Sequence, residues 1–238
     1  MSDEVVQTPF GSFLVNPDEC IGGTVKAGTV WDGPGFLQVI AREYGRLGED
    51  QVTILDVGAH LGDWAIWLAG QGAWRVIAVE PAPEMIRYLK ANLDLNKPTC
   101  AETVVVLPVA AYDRKTDLIW TVPYEPRDSG GAALRRLQDH EVPDRPIPAA
   151  PLDDYQYLYG DHVSLIKIDA QGCDGAAIAG LGDTIHKHHP AIVFEWEEEL
   201  SHAHPYPFAE VCRFLTGADY EIHEWPSHLH NFLARPRR

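Results

Sequence analysis

The sequence predicts an α/β domain built on a wound, mostly parallel sheet with helices on both of its faces. From about residue 52 onward, short apolar runs alternate with segments of helical periodicity, which is the pattern of successive βαβ units. Glycine-rich turns follow two of the apolar runs. The length of 238 residues, 45% of them hydrophobic and 23% charged, suits one domain with a sizeable core.

The strands are predicted from short runs of β-branched and apolar residues. Five of them should form the parallel part of the sheet, at 52–57, 74–79, 103–109, 163–169 and 191–195. Residues 220–224 and 229–233 should close it with an antiparallel pair. Ahead of this core, residues 5–47 are expected to hold a hairpin and a helix over 36–46.

The charge balance is strongly acidic. The chain has 35 Asp and Glu against 19 Lys and Arg, a net charge of -16, which argues against nucleic acid or an anionic membrane as the main partner. The N-terminus lacks a basic segment followed by an apolar one, and no apolar run reaches membrane-spanning length. We therefore expect a cytoplasmic protein. Four widely spaced cysteines without a C-x-x-C pair predict thiols rather than zinc ligands or disulfides.

The turn after the first core strand is the most informative segment. It runs Asp56-Val57-Gly58-Ala59-His60-Leu61-Gly62, and glycines there permit positive φ or the close approach of a ligand to the backbone. Glu80 ends the next predicted strand, 24 residues after Asp56. A carboxylate at that position can accept hydrogen bonds from both hydroxyls of an adenosine ribose. The pairing predicts an adenosine site at the carboxyl edge of the sheet.

The same turn differs from a dinucleotide fingerprint. Ala59 stands where the middle glycine of G-x-G-x-x-G would bring backbone amides to a pyrophosphate, and an acidic residue precedes the turn. A carboxylate at this place suits the cationic amino acid end of S-adenosylmethionine better than a pyrophosphate. An NAD-dependent oxidoreductase with an unusual turn stays open as the alternative.

Five ordered blocks give the chain a family resemblance. They read ILDVGAHLGDWAIWLA, VIAVEPAPEMIRYLKANLDLN, VVVLPVAAYDR, VSLIKIDAQGCDGAAIAGL and PAIVFEWEEEL. Over about residues 50 to 200 they resemble the FkbM-type methyltransferase family. The resemblance implies a class I methyltransferase fold with a Rossmann-like sheet, S-adenosylmethionine as cofactor, and methylation of a hydroxyl oxygen on a small molecule, sugar or natural product.

The resemblance also implies a set of cofactor contacts. Carried onto this sequence, they are Asp56, Gly58, Ala59, Gly62, Glu80, Pro81, Ala110, Ala111 and Asp113. Two positions depart from the family pattern, since His60 replaces a common Asn and Gln171 a common Glu. Gln171 is the only sequence support for a third interpretation, a non-catalytic module that keeps the fold.

With the resemblance, residues 1–238 are expected to form one domain in four parts. These are an N-terminal hairpin and helix over 1–49, a cofactor-binding half over 50–111, an insertion or lid over 112–160, and a substrate-side half over 161–238. The insertion is rich in proline and glycine and contains a candidate polar helix at 132–139.

Asp169 and Glu195 are the leading catalytic candidates, because each ends a parallel strand at the edge where ligands bind in this class of sheet. His60, in the cofactor turn, is a third candidate as a base or orienting group. Lys167 shares the strand face of Asp169 and is expected to form a structural ion pair. Asp169 and Glu195 could contribute to a Mg²⁺ site, but the sequence shows no third ligand, and we predict no metal.

The acceptor should be recognised by segments outside the five blocks. Trp31 and Asp32 precede the first long helix, and Trp120 and Tyr124 lie in the insertion. Aromatic side chains among glycines and prolines are typical of a pocket wall or a lid. We therefore expect a small-molecule acceptor, and the sequence leaves its identity and the oligomeric state open.

Overall fold

The computed structural model describes residues 3–30, 36–122, 130–138, 141, 144–225 and 230–237. The strands are β1 Glu4–Thr8, β2 Gly11–Val15, β3 Val52–Val57, β4 Arg75–Val79, β5 Val104–Leu107, β6 Ala110–Ala111, β7 Thr116–Val122, β8 Ala133–Arg136, β9 Ile147–Ala150, β10 His162–Ile168, β11 Ala191–Glu195, β12 Tyr220–Glu224 and β13 Asn231–Pro236. The helices are α1 Cys20–Lys26, α2 Phe36–Tyr44, α3 Asp63–Gly70, α4 Pro83–Leu95, α5 Lys97–Cys100, α6 Asp174–Ala179, α7 Gly182–His188, α8 Glu198–Ser201 and α9 Phe208–Gly217, with a 3-10 helix at Leu152–Leu158. None of these helices is both long enough and apolar enough to cross a membrane.

The main sheet has seven strands in the order β12-β13-β11-β10-β3-β4-β5. Strands β3, β4, β5, β10 and β11 are parallel, and β13 runs antiparallel to both of its neighbours. The prediction of a mostly parallel sheet with an antiparallel end is confirmed. The strand order reverses direction between β3 and β10, and the crevice at such a switch point is where open α/β sheets bind ligands.

Strand β3 forms the middle of the core because its six residues, VTILDV, are all buried. Parallel strands covered on both faces are typically continuous apolar runs of this kind. Ile54 packs with the helices of one face and Leu55 with those of the other, as the alternation of side chains along a strand requires. Thr53 is satisfied by donating its hydroxyl to the carbonyl oxygen of Tyr159 at 2.5 Å.

The N-terminal hairpin β1–β2 packs against the side of α4. Asn92 on α4 accepts a hydrogen bond from Leu14 N at 2.6 Å and donates one to Leu61 O at 2.9 Å. Asn96, one turn later, accepts from Ser12 N at 2.9 Å. These amides connect the hairpin to the turn that follows β3. The sequence analysis did not anticipate α1, which continues from the hairpin with Glu19 as its N-cap.

The insertion folds as a separate four-stranded sheet in the order β6-β9-β7-β8. The prediction of a polar helix at 132–139 is wrong, because residues 133–136 form β8 and pair antiparallel with β7. Leu134 is buried opposite Trp120, so cross-strand packing overrides the local helical pattern. The predicted strand at 103–109 ends at Leu107, and the chain then enters the second sheet at Ala110.

The Asn92→Ala variant tests the connection between the hairpin and the cofactor turn. The substitution leaves the half-buried Leu14 N–H and the buried Leu61 C=O without their side-chain partner. We expect the free energy of unfolding to fall by about 2 to 4 kcal/mol, measured by urea denaturation. Asp94→Ala, at an exposed position of the same helix, is the control and should change it by less than about 0.5 kcal/mol. Equal effects of the two substitutions would contradict this account.

Candidate active site

A cavity of about 280 Å³ opens at the carboxyl ends of the parallel strands, next to the switch point. Its wall combines the turn after β3, the end of β4, and the segments that follow β10 and β11. The insertion contributes Trp120 and Leu134, and α1 contributes Ile21. The cavity therefore joins the two halves of the sheet, the insertion and the N-terminal segment.

The turn after β3 is held to the neighbouring strand by its backbone. The amides of Gly58 and Ala59 both donate to Val79 O, at 2.9 and 3.0 Å. Gly58 has a φ of +78°, and a Cβ on it would overlap the carbonyl oxygen of Asp169. Glycine is required here because the turns after β3 and β10 approach each other too closely for a side chain.

Glu80 lines the cavity and is held in one orientation by two backbone donors. His60 N donates to Oε2 and Ala82 N donates to Oε1, each at 2.8 Å. Each carboxylate oxygen has two lone pairs, so each can still accept a hydrogen bond from a ligand. Burial raises the pKa of Glu80 to about 7, against the effect of the two amides.

Beneath the turn, Lys167 lies between two carboxylates. Its Nζ is 3.5 Å from Asp56 Oδ1 and 3.7 Å from Asp169 Oδ2, and it donates to Gly58 O at 3.5 Å. Asp56 is fully buried, and this burial raises its pKa while Lys167 opposes the shift. Lys167 thus forms the ion pair expected for it, and with Asp56 as well as Asp169.

Asp169 and Glu195 meet at the mouth of the cavity, where β10 and β11 end. Gln171 Nε2 donates to Asp169 Oδ1 at 3.0 Å and to Glu195 Oε2 at 3.2 Å. Burial and the nearby Asp169 carboxylate raise the pKa of Glu195 to about 9. Two carboxyl groups this close together share one proton more readily than they both ionise.

His60 also lines the cavity, in the left-handed conformation with a φ of +50°. Its backbone amide is one of the two donors to Glu80. Burial lowers the pKa of the His60 imidazole to about 4, so the ring is neutral at neutral pH. A neutral imidazole can orient a hydroxyl group, and its low pKa makes it a weak base at neutral pH.

Some of the other residues predicted to contact the cofactor line the cavity, and the rest lie behind its wall. Pro81, Ala110 and Ala111 lie in the wall, whereas Asp56, Ala59, Gly62 and Asp113 lie outside the described lining. At Gly62 a Cβ would overlap Leu89, and Asp113 accepts from Tyr206 OH at 2.9 Å. Their predicted cofactor contacts therefore stay predictions, while the structure gives each a packing or pairing role. Trp31, Asp32 and Tyr124 lie outside the described residues.

Sequence reasoning missed several lining residues, among them Ile21, Met85, Cys173 and Glu197. Glu197 could have been predicted from the sequence. It lies two residues after Glu195, and side chains two residues apart on an extended segment point to the same side. No sequence signal indicates that Ile21 lines the cavity, because its helix is brought there by the packing of the N-terminal hairpin. Within the described residues, no three His, Cys, Asp or Glu side chains converge in a way that could hold a metal ion.

The comparisons with known proteins agree with this geometry. The family model for the methyltransferase FkbM domain matches residues 56–222 of the 238. The chain belongs to the FkbM methyltransferase family. The match includes both the turn after β3 and the Asp169 and Glu195 strand ends, so the two halves of the cavity lie within the family domain.

A solved structure of the same family shows the same fold at low sequence identity. The FkbM methyltransferase of Methylobacillus flagellatus KT is 20% identical with a TM-score of 0.55, over 80% of this chain and 45% of that protein. The chain thus spans under half of that relative's length. A putative rRNA methylase of Clostridium thermocellum is 12% identical with a TM-score of 0.49, over 83% of this chain and 90% of that one. A search of curated protein sequences finds no match.

The Gly58→Ala variant tests the close approach of the two turns in this family member. We expect loss of S-adenosylmethionine binding by more than about tenfold in calorimetric titration, because the added methyl group forces the turn away from Asp169. Gly48→Ala is the matched control. Gly48 has a similar φ of +84° but nothing within 4 Å of the added Cβ, so it carries the conformational cost without the overlap. Equal binding by the two variants would argue against the role of this contact.

Proposed function

We propose that this protein is an S-adenosylmethionine-dependent methyltransferase that methylates a hydroxyl oxygen of a small-molecule acceptor. The single observation that carries the proposal is Glu80, a buried carboxylate at the end of β4 with acceptor capacity left on both oxygens and an apolar wall beside it. Membership of the FkbM methyltransferase family supports it.

The residues of the cavity fit this cofactor by their chemistry. Glu80 would accept the two ribose hydroxyls, and Met85, Ala110 and Ala111 offer an apolar surface for the adenine. Gly58 lies in the same wall, where the turns after β3 and β10 meet. When bound, S-adenosylmethionine supplies an electrophilic methyl group on a positively charged sulfur.

The protein's contribution to the transfer is alignment and proton removal. Asp169 would accept the proton of the acceptor hydroxyl, because its carboxylate lines the cavity, is a quarter exposed, and is oriented by Lys167 and Gln171. Burial and Asp169 raise the pKa of Glu195, which favours its protonated form, and in that form it would donate a hydrogen bond that positions the acceptor oxygen. Neutral His60 would help to orient the same hydroxyl group.

The charges of the cavity wall indicate which acceptors it can take. Four carboxyl groups line it, namely Glu80, Asp169, Glu195 and Glu197, and the described lining includes no lysine or arginine. The described lining has no lysine or arginine to pair with a phosphate or carboxylate on the acceptor, and its ionised carboxyl groups would repel such an acceptor. Ile21, Trp120 and Leu134 offer an apolar surface to its body. The acceptor class that fits is a neutral or cationic hydroxyl compound with an apolar part, rather than a nucleic acid.

Cofactor binding is tested by calorimetric titration of the protein with S-adenosylmethionine and, separately, with NAD. We expect micromolar binding of S-adenosylmethionine that weakens by about 1 to 3 kcal/mol in Glu80→Gln. With a pKa of about 7, Glu80 is about nine-tenths ionised at pH 8 and one-tenth at pH 6. The wild-type advantage over Glu80→Gln should therefore be clearly larger at pH 8 than at pH 6, since only the carboxylate accepts both ribose hydroxyls.

Wild type and variant are compared in the same buffer at each pH. Any change in the ionisation of S-adenosylmethionine itself therefore affects both affinities equally. Glu84→Gln is the control, because Glu84 lies four residues later, outside the described cavity wall, and pairs with Arg145 at the surface. Its affinity should match the wild type at both pH values. Binding of NAD without binding of S-adenosylmethionine would overturn the proposal.

Transfer is tested with labelled S-adenosylmethionine and pairs of hydroxyl acceptors, each neutral phenol or alicyclic alcohol matched with its carboxylate-bearing analogue. Product should form from the neutral member of a pair. In Asp169→Asn we expect kcat to fall about 100-fold or more, with cofactor affinity within about threefold of the wild type. Asp183→Asn, on the exposed surface of α7, should leave kcat unchanged. A preference for the carboxylate member would contradict the acceptor class, and full activity of Asp169→Asn would contradict the base.

A further inference from the structure

Gln171 occupies the point between the two carboxyl groups at the mouth of the cavity. Its amide nitrogen is 3.0 Å from Asp169 Oδ1 and 3.2 Å from Glu195 Oε2. An amide oxygen at this point would face two carboxyl oxygens at hydrogen-bond distance, so the amide nitrogen is the end that fits. The two hydrogens of one NH₂ group can serve one carboxyl group each.

The backbone around Gln171 is constrained to present the side chain in this direction. Gln171 has a φ of +47°, a left-handed conformation that non-glycine residues seldom adopt. The peptide groups on either side are held by Asp174, which accepts from Ala170 N at 3.1 Å and from Gly172 N at 3.0 Å. Asp174 is itself buried, so the loop has a fixed anchor. The position of the amide is thus built into the loop.

Two carboxyl groups this close together are held in place by whatever group lies between them. A divalent cation is one solution, since carboxylate oxygens at the ends of neighbouring strands are suitable ligands for Mg²⁺. Here a neutral amide supplies the positive end of its dipole at the same point, and it presents hydrogens rather than lone pairs. A cation at that point would meet N–H groups in place of a third oxygen ligand.

We propose that Gln171 is a positioning residue that holds Asp169 and Glu195 together without a metal, its amide taking the place of a bridging divalent cation. The pairing of the three side chains stands independently of the reaction. Only its catalytic consequence, an Asp169 held ready to accept a proton, rests on the proposed function.

Mn²⁺ titration followed by electron paramagnetic resonance tests the proposal, with wild type, Gln171→Glu, and the double variant Gln171→Glu with Glu195→Gln. The wild type should show no Mn²⁺ site in the cavity. Gln171→Glu should gain one site per chain, with affinity at least about tenfold above any wild-type binding, because a third carboxylate raises the ligand charge. Removing Glu195 from that variant should abolish the gain.

Gln171→Met supplies a second, uncharged variant of similar length. It removes the amide donors without adding a ligand, so it should bind Mn²⁺ more tightly than the wild type and less tightly than Gln171→Glu. Binding of S-adenosylmethionine to each variant reports whether the protein is folded and its cofactor site intact.

Two results would overturn the proposal. One is a wild-type protein that binds Mn²⁺ as tightly as Gln171→Met and loses the site when Glu195 is replaced. The other is a folded Gln171→Glu protein that gains no site. If the Mn²⁺ results are as expected while S-adenosylmethionine fails to bind even the wild type, the proposed function fails and the role of Gln171 stands.

Discussion

The site depends on one buried cation, Lys167, which joins the two halves of the sheet at the switch point. Its ammonium group contacts Asp56 at the end of β3, Asp169 after β10, and the carbonyl oxygen of Gly58 between them. A buried charge without its partner is strongly unfavourable, so these groups stabilise one another's positions. The closeness of the turn after β3 to the turn after β10 follows from this arrangement, and so does the need for glycine at position 58.

Around this cation the protein gathers carboxyl groups whose charge is costly to bury. Burial raises the pKa of Glu80 to about 7, of Asp174 to about 7 and of Glu195 to about 9. Such shifts concentrate at functional sites, because a core selected only for stability has no use for them. Backbone amides satisfy Glu80 and Asp174, and the amide of Gln171 serves Glu195.

Much of the fold could be predicted because short stretches of sequence, such as apolar runs and glycine turns, indicate its strands and turns. β3 and β11 have the bounds that their apolar runs indicate, and the placement of Asp169 and Glu195 at strand ends brought them together as expected. The insertion could not be predicted in the same way, because the 132–139 segment has helical residues but pairs with β7 through Trp120 and Leu134. Cross-strand packing there depends on residues far away in the chain.

The residues alone determined the wound parallel sheet, the Gly58 turn, Glu80 as a ribose ligand candidate, and the two carboxyl groups at strand ends. Each of these follows from the order of short-range patterns. Only the tertiary structure decided that Asp56 pairs with Lys167 rather than lining the cavity, and that Gln171 bridges Asp169 and Glu195. The physical reason is that ion pairs and shared hydrogen bonds depend on distances of a few ångströms between separate strands, and a sequence pattern carries no such distances.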